Sequence, residues 1–161
     1  MNHHQGGRVR LDHVYDHHNG VAEWDKRELQ EWLTDVFDAP AIKMREGCTS
    51  EVRDHVRSEF EKQGWAINVK IDQDLGLSVF ALKDDLAFHL QTGNMARAPY
   101  DLLKLQYLFH SGRIEAAALA LPSKDCATAI GSNIANSDRI TKELELFNRI
   151  ITVPMMVVAF K

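Results

Sequence analysis

A chain of 161 residues, 45% hydrophobic and 26% charged, has the composition of one globular domain with a full core. Its net charge of −4 excludes a protein that coats nucleic acid through bulk positive charge, so any phosphate-binding surface must be a local patch. No apolar run is long enough to cross a bilayer as a helix, and no membrane partner is expected.

The opening stretch "MNHHQGGRVR" has no apolar segment of the secretory kind and reads as a mobile arm on a single domain that covers residues 1–161. Cys48 and Cys126 make no CxxC or Cys/His spacing, so two free thiols in a reducing, cytoplasmic setting are expected. His13, His17 and His18 lie close together, but without a specified acidic third ligand they read as surface or packing residues.

From about Val14 to Phe37 the apolar residues Val21, Trp24, Leu29, Trp32, Leu33, Val36 and Phe37 recur at roughly helical spacing. Asn19-Gly20 marks a break before them and Asp38-Ala39-Pro40 a stop. A second helix opens at Thr49-Ser50 with an acidic first turn, carries Val52, Val56 and Phe60 on one face, and ends at Gln63-Gly64. The period then changes to two. "WAINVKI" (65–71), "LSVFALK" (77–83) and "LAFHLQT" (86–92) alternate in face, with turns at 72–76 and at Asp84-Asp85, and so predict an antiparallel meander. Pro99 starts a helix to about His110 with Tyr100, Leu103 and Tyr107 as its apolar stripe. "IEAAALALP" (114–122) and "ITVPMMVVAF" (151–160) read as strands covered on both faces. Between them "NSDRITKELELFNR" (136–149) is a helix with Ile140, Leu144 and Phe147 turned inward. Strand, helix, strand with buried strands predicts a parallel pair. The fold class is α/β, with a meander and parallel strands in one mixed sheet flanked by helices.

This arrangement resembles the PD-(D/E)XK nuclease core, and its BamHI/BglII-like branch of type II restriction endonucleases in particular. The resemblance is carried by "HLQTGNMARAPYDLLKLQYLFHSGRIEAAALALPSKD", "GSNIANSDRITKELELFNR" and "ITVPMMVVAF". "RLDHVYDHHNG" and "EVRDHVRSEFEKQGW" look like the family's earlier helices. It implies an enzyme that binds double-stranded DNA, acts as a homodimer and hydrolyses a phosphodiester with Mg²⁺ or Mn²⁺. The metal is held by an Asp on the second meander strand and by a Glu two residues before a Glu, Gln or Lys on the third. Period two places that last pair on one face.

Carried over residue by residue, the third-strand motif falls on His89-Leu90-Gln91. Gln91 matches the Gln of some members, His89 stands where the family has Glu, and Phe80 stands where it has Asp. Phe80 ligates nothing, and imidazole suits softer metals than Mg²⁺. The nearest acids, Asp84 and Asp85, sit at a turn that favours Asp for its own reasons, and stand as displaced metal ligands in the one arrangement that would rescue the site. Asn94, Arg97 and Lys104 are the candidates for DNA contact. Arg53, Arg57 and Lys62 alternate with Glu51, Glu59 and Glu61 and read as a wet, salt-bridged helix face. Three functions remain open: a family member with impaired catalysis that retains DNA or partner binding, an active Mg²⁺- or Mn²⁺-dependent nuclease using displaced acids, and a regulatory protein-interaction module without nuclease activity.

Overall fold

The computed structural model describes residues 7–39 and 41–161. Among them, six strands form one mixed sheet: β1 (Leu11–His17), β2 (Ala66–Asp72), β3 (Leu77–Lys83), β4 (Leu86–Leu90), β5 (Ala116–Pro122) and β6 (Met155–Phe160). Their spatial order is β1-β6-β5-β4-β3-β2. β2, β3 and β4 are the expected antiparallel meander, and β4, β5 and β6 run parallel. Six helices cover the faces: α1 (Gly20–Lys26), α2 (Gln30–Val36), α3 (Thr49–Lys62), α4 (Ala98–His110), α5 (Lys124–Ile130) and α6 (Ser137–Leu146). No described helix is long and apolar enough to cross a membrane.

The sheet separates two cores. One lies under α1, α2, α3 and α5 and is rich in rings: Trp24 stacks on Trp65, and Phe60 meets Phe80 and Phe88. The other lies under α4 and α6 and is aliphatic, with Leu102, Leu105, Leu108, Ile140 and Leu144 against the β5 face formed by Ala117, Leu119 and Leu121. Every residue of β5 and β6 is buried, which is why their sequences run apolar without alternation.

The first forty residues differ from the sequence reading. The helix expected from Val14 is preceded by β1, an edge strand paired antiparallel to β6 from Leu11↔Phe160 to His17↔Met155. The "RLDHVYDHHNG" stretch is therefore mostly strand, because its partner lies more than a hundred residues away and leaves no local period. His18 and Asn19 adopt positive φ (50° and 63°) and turn the chain into α1. Glu28, at φ 59°, separates α1 from α2 without a Gly or Pro to mark the break. Of the residues read as an arm, 1–6 lie outside the described residues, whereas Val9 is buried and its N–H donates to the Ile42 carbonyl. Pro40, part of the expected stop, also lies outside them.

The face of α4 is also corrected. Tyr100, Leu103 and Tyr107, expected inward, are exposed, and the buried face is Ala98, Asp101, Leu102, Leu105 and Leu108. A helix this apolar offers two stripes, and the inner one contains an aspartate. Phe147 of the expected α6 face is likewise exposed, past the helix end.

Gly20 is the tightest joint in the fold. A Cβ there would stand 2.2 Å from the Met155 carbonyl carbon, so α1 meets the start of β6 backbone to backbone. Gly20→Ala is expected to lower stability by about 1–3 kcal/mol or more, read as a shift in urea midpoint, because backbone rather than a mobile side chain must yield.

Candidate functional site

β4 delivers His89 and Gln91 to the open end of the sheet on the α4 side, as its period of two requires. Below them α4 presents Asp101, which is 3% exposed. His89 Nε2 lies 3.1 Å from Asp101 Oδ1, Gln91 Nε2 donates to Oδ2 at 2.5 Å, and Lys104 Nζ is 3.3 Å from Oδ1. Burial pushes the Asp101 carboxyl upward, but the bonds from His89 and Gln91 and the Lys104 charge outweigh it and hold the group below its ordinary value. Lys104 also donates to the Ser78 carbonyl at 2.9 Å, tying α4 to β3.

His89 has no vacant nitrogen. The Phe80 backbone N–H donates to Nδ1 at 3.2 Å, which makes Nδ1 the acceptor and leaves the proton on Nε2 for Asp101. Gln91 is equally committed, since its Oε1 accepts the Gly93 N–H at 2.7 Å. The space beside Gly93 is tight: a Cβ there would lie 3.0 Å from Gln91 Oε1 and 3.3 Å from Arg97 Nη1, and these side-chain ends would have to yield by a few tenths of an ångström.

Phe80 does not face this network. The β3–β4 register ends at Ala81↔Phe88, and Phe80 packs with Ala81 in the aromatic core instead of alternating. Its ring is edge-on to Phe60 and Phe88, and the Arg53 guanidinium lies 5.4 Å from its centroid. Arg53 on α3 is thus a wall of the site rather than part of a salt-bridged outer face. Arg57 and Lys62 do pair along the helix as expected, with Asp54 and Glu59.

A cavity of about 410 Å³ results, lined by Arg53, His89, Gln91, Arg97, Asp101 and Lys104 among others. Asp84 and Asp85 lie elsewhere. They form the turn at the opposite end of β4, roughly 13 Å along the strand from His89 at ~3.3 Å per residue. Asp84 takes the turn's positive φ of 52°, and Asp85 is gripped by Arg27 at 3.0 and 2.7 Å, which lowers its carboxyl from the usual range. Asn94 caps the short 3-10 turn Met95–Arg97, accepting the Ala96 N–H at 2.8 Å. Arg97 and Lys104 reach the cavity; Asn94 is not among its lining residues.

A hard divalent cation needs oxygen ligands, most of them anionic. The cavity offers one carboxylate, already held by three donors, beside three cations, so its residues do not fit such an ion. Among the described residues no three His, Cys, Asp or Glu side chains converge on a point where a metal would sit. The sequence reading missed Asp101 and Arg53. An acid in a first helical turn is an ordinary helix-dipole residue, and an arginine between acids is an ordinary exposed one.

Asp101→Asn is expected to cost about 1–3 kcal/mol near neutral pH, because buried donors lose their charged acceptor. Since folding lowers the Asp101 value, its stabilisation is complete above the unfolded carboxyl range and is lost as pH falls through the folded value. Urea unfolding between about pH 5 and pH 2 should therefore show a smaller acid loss in Asp101→Asn than in the parent protein.

The crystal structure of restriction endonuclease BglII complexed with a DNA 16-mer superposes with a TM-score of 0.75 at 12% identity, covering 94% of this chain and 77% of that one. Free BglII gives 0.66 at 13% identity, covering 94% and 78%. No curated protein matches. At these identities the structural likeness speaks for the fold. The family of restriction endonuclease BglII/BglIII, however, matches residues 13–160, nearly the whole length, and so the chain belongs to the BglII/BglIII restriction endonuclease family.

Proposed function

We propose that this chain is a restriction-endonuclease-like protein that has lost phosphodiester hydrolysis and keeps a surface for double-stranded DNA. The observation that carries the reading is the closed network: both nitrogens of His89 and both polar atoms of Gln91 are bonded within the protein, to the Phe80 and Gly93 N–H groups and to Asp101. The family's Mg²⁺ or Mn²⁺ would have to break these bonds and would find Phe80 where its aspartate belongs. The displaced-acid alternative draws no support from Asp85, which Arg27 holds at the far end of the strand. DNA binding is supported by the likeness to BglII, whose structure was determined with a DNA 16-mer, and by the cations of the cavity. Two unpaired, buried cysteines accord with a cytoplasmic protein.

A homodimer is the second part of the proposal. Tyr100, Leu103 and Tyr107 are each about half exposed on α4; Leu75 lies to one side and Phe147 and Ile150 to the other. They line two grooves that share Leu103. A patch of this extent marks an interaction surface, and a second copy of this chain would pair apolar face with apolar face about a two-fold axis.

Plasmid incubated with the protein and Mg²⁺ or Mn²⁺ is expected to remain supercoiled. Metal-dependent nicking that tracks the protein through purification and is lost in His89→Ala would overturn the loss of hydrolysis. In sedimentation equilibrium the parent chain should weigh as a dimer and Leu103→Glu as a folded monomer. A monomeric parent chain would refute self-pairing and favour the interaction module that pairs with a different protein.

A further inference from the structure

The charge of the cavity is the reverse of what a metal-dependent hydrolase needs. Arg53, Arg97 and Lys104 bring three full positive charges to its wall, against the single carboxylate of Asp101. Lys104 and Asp101 neutralise one another at 3.3 Å. Two guanidiniums remain, and among the described residues neither has a carboxylate within ion-pair distance.

Arg53 is placed at a cost. It is only partly exposed, and its bonds within the protein are two long ones from Nη1, to the Leu90 carbonyl at 3.3 Å and to Thr92 Oγ1 at 3.4 Å. Its Nε and Nη2 donate to nothing in the described protein. Its guanidinium carbon sits over the Phe80 ring, 5.4 Å from the centroid, which positions the fork. Burial disfavours the charged form, and the nearby Arg57 adds to this. A half-buried, pre-oriented guanidinium with idle donors is suited to a bidentate oxyanion. Arg97 is exposed and enters from the other side, next to Gly93, and its guanidinium makes no hydrogen bond among the described residues. The aromatic at position 80 therefore does more than delete an acid, since it is the platform that carries a cation to this end of the sheet.

We propose that the cavity binds a phosphate group directly, without a divalent metal, with Arg53 and Arg97 as its ligands, and that the phosphate it serves is one of the backbone phosphodiesters of duplex DNA. The inference rests on the loss of hydrolysis proposed above. It differs from it in the observable, which is binding in a chelator rather than cleavage in a metal.

The test is fluorescence anisotropy of a labelled DNA duplex titrated with the full chain in EDTA, over a range of salt. The parent protein is expected to bind, and added Mg²⁺ is not expected to tighten the complex. Arg53→Gln and Arg97→Gln should each weaken it about tenfold or more and lower the slope of log K against log salt by about 0.9 for each phosphate contact removed. Arg53→Lys, which keeps the charge and loses the fork, should recover only part of the affinity. Arg97 is exposed, so Arg97→Gln keeps the inference falsifiable if Arg53→Gln proves unstable by circular dichroism. Inorganic phosphate as competitor separates the sources: displacement of the duplex only at concentrations far above the DNA dissociation constant supports the backbone, whereas binding of phosphate with none of DNA overturns that assignment. Binding that requires Mg²⁺, or is unchanged in both arginine variants, overturns the anion site while leaving the loss of hydrolysis standing. Cleavage in Mg²⁺ or Mn²⁺ overturns both.

Discussion

Asp101 places a full negative charge almost completely inside the protein, and the open end of the sheet is arranged around that charge. A carboxylate in such a position is tolerable only when donors surround it. Here they come from two elements: His89 and Gln91 from β4, and Lys104 from its own helix. The bonds reach further through the donors. His89 accepts from the backbone of β3, Gln91 from Gly93, and Lys104 donates to Ser78. One buried charge thus fixes the orientation of α4 on the meander and the rotamers of the motif residues together.

The same network accounts for the chemical character of the cavity. Residues that could approach a metal are occupied with one another, and Asp101, the acid nearest to them, serves as an internal counter-ion. On the opposite face of the sheet, Phe80 has joined the aromatic core and Arg53 stands over its ring. The ring and the guanidinium are physically linked. A ring at position 80 supplies the apolar face that a guanidinium stacks on, whereas an aspartate there would draw a cation into an ion pair and leave no platform. With Arg53, Arg97 and Lys104 on its wall against the single carboxylate of Asp101, the pocket carries an excess of positive charge.

Helix α4 divides its two faces between these tasks. Its inner face holds Asp101 among Leu102, Leu105 and Leu108, and its outer face leaves Tyr100, Leu103 and Tyr107 in solvent. Both stripes are apolar enough to be buried. On periodicity alone the outer stripe reads as the core, because the inner one is interrupted by a charge. What reverses the choice is the presence of donors on β4, outside the helix.

The sequence by itself determined the elements whose signals are local. Period two marked β2, β3 and β4, the spacing of Val52, Val56 and Phe60 marked α3, and continuous apolar runs marked β5 and β6. The strand period alone also places His89 and Gln91 on one face. The tertiary structure decided everything that needed a distant partner. β1 exists because β6 offers it an edge, so its residues carry no helical or strand period strong enough to read. Asp101 and Arg53 became site residues only when α4 and α3 were packed against the same end of β4. Periodicity reports which side of an element is apolar, whereas burial of a charge depends on donors brought together by the fold, here His89 and Gln91 from the meander meeting Asp101 and Lys104 of α4.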